Sequence, residues 1–345
     1  MDTQSTVDVV EDGSHLENET IQSGVDIVKS NDHNAIIEVT TPLEEVPHGD
    51  SFFGNFLSDS QHVVLLKERG LDFKNSYEED RFLRLLNTVG YYKLSQYFKH
   101  FYTSPKTKIF VAGTSSKQIL TAHRQNERLR SLFIDSLLKI ESRMKTLITE
   151  KMIQEKNDIY WCFLPEFAEL ELPKKALAKN QNGLYTAQST QIFFEHYPSH
   201  THDRLPAWVV MQSQSFGTLC QLLRHQAMPK RLLKKSIASE WMPERVNYTS
   251  VYKVFDAMRH LRNLSVHHGK LLGESIRIAP PPWNGLDSKM VHRLDNFLFW
   301  IEQLLKPVTP RDSFSKEMKE IIDIVNRDCP ETMHIKFYKP LTVCE

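Results

Sequence analysis

The chain has 345 residues, 40% of them apolar and 25% charged, which is the composition of a globular protein and enough length for one large domain or two smaller ones. No apolar run approaches the ~18–20 residues a membrane helix needs, and the acidic, polar N-terminus is neither a secretory signal nor a transit peptide, so a cytoplasmic protein without a membrane partner is expected. Four scattered cysteines, Cys162, Cys220, Cys329 and Cys344, form no CxxC pair, which argues against a disulfide framework and a thiolate zinc site.

The formal net charge of zero hides an asymmetry. Residues 1–50 carry twelve Asp and Glu against the single Lys29, which leaves 42 basic against 31 acidic residues in the remainder. A basic body suits an anionic partner such as nucleic acid, although many globular domains carry this charge without one. Residues 1–50 show no sustained period and read as an acidic, disordered tail.

Structure is expected from about Ser51. Gln61 to Gly70 reads as a short helix stopped by its glycine. Asp80 to Tyr102 is a stronger helical region, with Phe82, Leu85, Leu86, Val89 and Tyr92 at three- and four-residue spacings and Gly90 either dividing it or allowing close packing. Aromatics continue through Tyr97, Phe98, Phe101 and Tyr102; interleaved with Lys93 and Lys99 they could stack bases, but core packing is the preferred reading. Lys108 to Gly113 reads as a short extended piece. Residues 117–155 predict a long helix with the stripe Leu129, Leu132, Phe133, Leu137, Ile140, Met144, Leu147 and Ile148. Arg128, Arg130, Arg143 and Lys145 between them read as its solvated face, and Glu141, next to Ile140, as a partly buried carboxylate that needs a partner.

His196, His200 and His202 have a spacing that a metal could use, but Pro198 interrupts them and no fourth ligand follows, so a polar loop is the reading and no metal is assigned. Pro206 opens a helix that runs through Met211, Phe216 and Leu223, with Gly217 marking close helix approach. Lys230, Arg231, Lys234 and Lys235 form a basic face that is either an RNA-phosphate contact or simply solvated. Val251 to Val266 predicts a helix with Val251, Val254, Phe255, Met258, Leu261 and Ser265 inward. The last strong helix is placed from an Asp287 or Ser288 cap to Pro307, carrying Val291, Leu294, Leu298, Ile301 and Leu305. A final helix is placed near Ser313 to Val325. Gly-rich nucleotide loops, GxSxG and HExxH are absent. The fold class read from this is all-α, a helical bundle with irregular insertions.

The chemistry concentrates in Met258 to Gly273, MRHLRNLSVHHGKLLG, where Arg262, Asn263, His267 and His268 lie within seven positions. Imidazole exchanges protons near neutral pH, and a guanidinium forks onto a phosphate. Together they suffice to cleave a phosphodiester without a metal. Asn263 and His267, four apart, share a helix face. Arg262 and His267, five apart, lie about 140° apart around a continuous helix. Aiming both at one atom needs a long arginine reach, a helix end near Ser265, or two copies meeting across a two-fold axis.

The order of segments carries a resemblance. LLKERGL (Leu65–Leu71), LNTVGYYKLSQYFKHF (Leu86–Phe101), ERLRSLFIDSLLKIESRMKTLI (Glu127–Ile148), PAWVVMQSQSFGTL (Pro206–Leu219) and LRNLSVHHGKLLG (Leu261–Gly273) together resemble the Abi-like family of bacterial abortive-infection proteins, the AbiD/AbiF group, over roughly residues 55–310. The resemblance implies an all-α fold of the HEPN superfamily with additional N-terminal helices. The expected organisation is a tail at 1–50, a helical domain at 51–310, and a C-terminal helix with an irregular extension at 311–345. It also implies a metal-independent endoribonuclease without cofactor, a toxin of phage defence. Arg262 and His267 match the family's Arg-x(4–6)-His motif, His268 fits with one more residue between, Asn263 matches its polar position, and Glu141 a supporting carboxylate of an earlier helix. Gln212 stands where a glutamate is expected, and Leu272-Gly273 where a Trp-Asn pair is expected. RNA as substrate, a homodimer with a shared cleft, and an antitoxin or inhibitory partner are implied. The other reading is an inactive HEPN scaffold that binds RNA or a protein partner without cutting.

Overall fold

The computed structural model describes residues 57–200, 204–230, 238–241, 250–267, 269–283, 286–309 and 314–336. Among these the fold is all-α. It contains no strand, only isolated bridges such as Tyr102–Phe110. Among the described residues no helix is long and apolar enough to cross a membrane.

The axis is α4 (Ser116–Lys156), whose 41 residues span about 60 Å at 1.5 Å per residue. A capping box between Ser115 and Gln118 starts it, and Asn157 ends it in the left-handed conformation at φ 49°. Its predicted apolar stripe is buried from Leu129 to Ile148. Burial of that stripe, rather than intrinsic propensity, stabilises so long a helix.

Three short or medium helices precede it. In α1 (Asp59–Glu68) Ser58 and Gln61 cap reciprocally, and Gly70 at φ 89° turns the chain away. In α2 (Ser76–Val89) Asn75 caps the start, and Gly90 at φ 86° separates it from α3 (Tyr91–Phe98). Gly90 therefore divides the predicted region, and a Cβ there would meet nothing within 4 Å. The division also corrects one inward residue. The phase of the stripe resets after Gly90, so Tyr92 is 81% exposed, while Tyr97, Phe98 and Phe101 enter the core.

Beyond α4 come α5 (Leu172–Leu177), α6 (Gln188–His196), α7 (Ala207–Gln212), α8 (Phe216–Arg224), α9 (Ala238–Trp241) and α10 (Val251–Val266). The helix predicted from Pro206 through Leu223 is in fact two. Ser215 takes an extended conformation and accepts the Thr218 amide, capping α8. Pro206 is the N-cap of α7 rather than its first helical residue. Gly217 does not mark a tight approach, because a Cβ there would meet only ordinary contacts at 3.6 and 3.8 Å.

The remaining helices are α11 (Leu294–Leu305) and α12 (Phe314–Asp328). The Asp287 cap holds only a short 3-10 turn over Ser288–Met290, so Val291 falls outside α11. α10, α11 and α12 all pack on α4. From α12, Phe314, Met318, Ile321 and Val325 are buried, and Glu320 pairs with Arg128 of α4 at 3.3 Å.

Candidate active site

α10 forms where its sequence predicts, and all six expected inward residues, Val251, Val254, Phe255, Met258, Leu261 and Ser265, are buried. Packing that face on α4 fixes what the opposite ridge presents. Arg262 is partly buried, and its Nη1 donates to Asn263 Oδ1 at 3.1 Å. Its Nη2 stands 3.9 Å from Oε2 of Glu141, which is 6% exposed. Glu141 Oε1 also pairs with Lys145 Nζ at 3.2 Å, and Lys145 donates to the Gln212 carbonyl at 3.2 Å. The carboxylate expected to need a partner thus has two cations.

The helix ends at Val266 and His267 is its exposed C-cap. The guanidinium of Arg262 reaches Asn263, and Asn263 lies one turn before His267, whose amide donates to the Asn263 carbonyl at 2.9 Å. Two polar atoms here are buried without a hydrogen-bond partner, Arg262 Nε and Glu141 Oε2. A partly exposed guanidinium and an exposed imidazole at one helix end are the groups that hold an anionic oxygen and move protons.

A second layer fixes this helix end. Arg130 of α4, read as solvated, is instead 5% exposed. Its Nε donates to the Ser265 carbonyl at 2.7 Å, satisfying an orphan acceptor of the helix C-terminus, and its Nη1 pairs with Glu127. One turn earlier, Asn126 Oδ1 accepts the amides of Leu271 at 2.8 Å and Leu272 at 3.2 Å. The Gly269 amide donates back to the Leu264 carbonyl, so close that a Cβ at Gly269 would lie 2.9 Å from that oxygen. Leu272-Gly273 ends the segment with Leu272 buried and Gly273, at φ 75°, against the His100 ring.

Arg130, Asn126 and Lys145 are the contributors that sequence reading missed. A signal for two of them existed. Asn126, Arg130, Phe133 and Leu137 follow one another at helical spacing, so two polar residues occupy the apolar face, where they must be satisfied.

Lys230 is exposed; Arg231, Lys234, Lys235 and His268 lie outside the described residues, as does His202. His196 Nδ1 and His200 Nε2 each bond a backbone carbonyl, Ile192 and Arg204. Among the described residues no group of three or more His, Cys, Asp or Glu is placed to hold a metal ion. Cys162, Cys220 and Cys329 are buried free thiols, and burial raises the pKa of each, that of Cys220 to about 12.

No curated protein and no solved structure matches the chain. A family model does, the Abi-like protein family over residues 84–273, from α2 to the glycine that closes the segment after α10. With just over half of its length matched, including Glu141 and the whole Arg262–His267 helix end, the chain belongs to the Abi-like protein family.

Proposed function

We propose that this protein is an abortive-infection endoribonuclease of HEPN type, cutting RNA without a metal at the Arg262–His267 end of α10. The observation that supports it most is the state of Arg262. Its guanidinium is held by Asn263 and Glu141 while the side chain stays 33% exposed, five residues before the exposed His267 that ends the helix. Membership of the Abi-like family supports a role in phage defence.

In the proposed reaction His267 takes the proton of an RNA 2′-OH, whose oxygen attacks the adjacent phosphorus. The P–O5′ bond breaks, leaving a 2′,3′-cyclic phosphate, and the departing 5′ oxygen takes a proton from the His267 of a second protomer. Arg262 holds the phosphoryl oxygens as negative charge grows on them. Asn263 orients the guanidinium, and Glu141 with Lys145 anchors it from α4. The need for a 2′-OH makes RNA the substrate and leaves DNA intact. A homodimer would bring two such helix ends to one cleft, and an antitoxin that covers the cleft would silence it.

The test is cleavage of single-stranded RNA by purified protein in EDTA. Arg262→Ala should lower the rate by about 10²–10³-fold, the usual loss for one transition-state donor. His267→Ala should lower it by about 10²–10⁴-fold. RNA that is bound tightly but never cut would leave the inactive-scaffold reading in its place.

A further inference from the structure

A cleft of about 210 Å³ opens between the end of α2, α3, α4 and the segment after α10, lined by Lys93, Gln96, Tyr97, His123, Glu127 and Lys270 among others. None of these is a residue of the Arg262–His267 site. The cleft draws one wall, Lys270, from the segment that α4 clasps.

Lys270 is nearly buried, its side chain 4% exposed. Its Nζ donates to Glu274 Oε1 at 2.6 Å and lies 2.5 Å from His100 Nε2. An ammonium has three N–H groups and no lone pair. His100 Nε2 therefore accepts, His100 is neutral, and its Nδ1–H donates to Thr332 Oγ1 at 3.0 Å. Burial pulls the His100 pKa below its usual value in the same sense. Two of the three Lys270 N–H groups are thus used, and the ammonium also lies over the Tyr97 ring, 5.5 Å from its centroid.

The charge around the cleft is unevenly spent. Both oxygens of Glu127 are taken by Arg130 Nη1, at 2.6 and 2.5 Å. Lys93 is exposed and has no carboxylate partner among the described residues. His123 keeps a buried Nδ1 with no hydrogen-bond partner, and burial holds the ring neutral. The cleft is thus lined by two ammonium groups, Lys93 without an ionic partner among the described residues and Lys270 paired with Glu274, and by one imidazole nitrogen without a hydrogen-bond partner, with the Gln96 amide and Tyr97 ring beside them.

We propose that this cleft binds a phosphate group, as a second site separate from Arg262 and His267. Two ammonium groups match a dianion better than a singly charged carboxylate. At about 210 Å³ the space falls below the ~300–1,000 Å³ of sites for larger organic ligands, which fits a phosphate with little attached to it. Burial lowers Lys270 to a pKa of about 8 against the pull of Glu274. The phosphate can be free inorganic phosphate or the terminal phosphate of a nucleic-acid strand.

Calorimetric titration of the full-length protein separates the two sources. The probes are inorganic phosphate and a short DNA oligonucleotide with either a 5′-phosphate or a 5′-hydroxyl; DNA lacks the 2′-OH, so binding is read without cleavage. Saturable binding of inorganic phosphate, weakened about tenfold in Lys93→Ala and retained in Lys93→Arg, is expected. A 5′-phosphorylated strand that binds tighter than both other probes identifies the strand end as the source; equal or better binding of inorganic phosphate identifies the free ion. Absence of binding by every phosphate-bearing probe overturns the proposal. So does an affinity unchanged in both Lys93→Ala and Lys270→Gln. A protein that binds phosphate in this way but cuts no RNA refutes the nuclease reading alone.

Discussion

Glu141 sits at 6% exposure between two cations, Lys145 on its own helix and Arg262 on α10. A carboxylate so buried is retained only with such partners. Glu141→Gln keeps the shape and removes the charge, so on the proposed function RNA cleavage should fall about ten- to a hundredfold, from ~1–3 kcal/mol for a charged hydrogen-bond partner lost. The chain should still fold, which thermal unfolding monitored by circular dichroism would check. Cleavage unchanged in this variant would show that Glu141 does not position Arg262. Arg130 makes the opposite case, because its partners are the Ser265 carbonyl and Glu127. Arg130→Met should destabilise the fold by about 3 kcal/mol in urea titration, as breaking a buried charged contact does. Arg130→Lys should not rescue it, since an ammonium cannot fork onto both partners.

At the scale of elements, the turn after α10 depends on a glycine for closeness rather than for φ. The Gly269 amide reaches back to the Leu264 carbonyl, and a Cβ would sit 2.9 Å from that oxygen, which is backbone and cannot rotate away. Gly269→Ala should cost about 1–3 kcal/mol, the range for forced overpacking, and displace His267 from the end of α10. Gly217→Ala is the contrast. It lies within α8 with only ordinary contacts around its missing Cβ, so alanine should be neutral or stabilising by up to about 1 kcal/mol. The same elements show how much was legible in the sequence. α10 matches its predicted bounds because its apolar period is unbroken from Val251 to Ser265. The joint between α7 and α8 was hidden because Ser213-Gln214-Ser215 contains neither Gly nor Pro and only the Ser215 cap betrays it. Arg262, Asn263 and His267 were legible as a local cluster. The phosphate cleft was not, because its walls come from segments that lie far apart in the sequence and meet only through packing.

For the whole molecule, the titration of partly buried histidines makes the fold less stable in acid. Burial lowers the pKa of His62, His100, His123 and His260 in the fold. The unfolded chain, with histidines near 6.5, therefore binds more protons than the folded one once the pH drops below that value. Stability from these groups is fully present above about pH 7 and is lost as the pH falls through the unfolded value near 6.5 and on towards the lowered folded values. Urea midpoints measured at pH 7.5, 6.5 and 5.5 should decrease in that order, and His123→Gln should flatten the trend; a midpoint independent of pH would contradict it. The long helix α4 has one more effect. Through Asn126 it holds the amides of Leu271 and Leu272, both fully buried and neither in a helix. In hydrogen–deuterium exchange these two loop amides should not behave as loop. They should open only with α4 itself, on the slow time scale of global unfolding, while the exposed turns around them exchange freely.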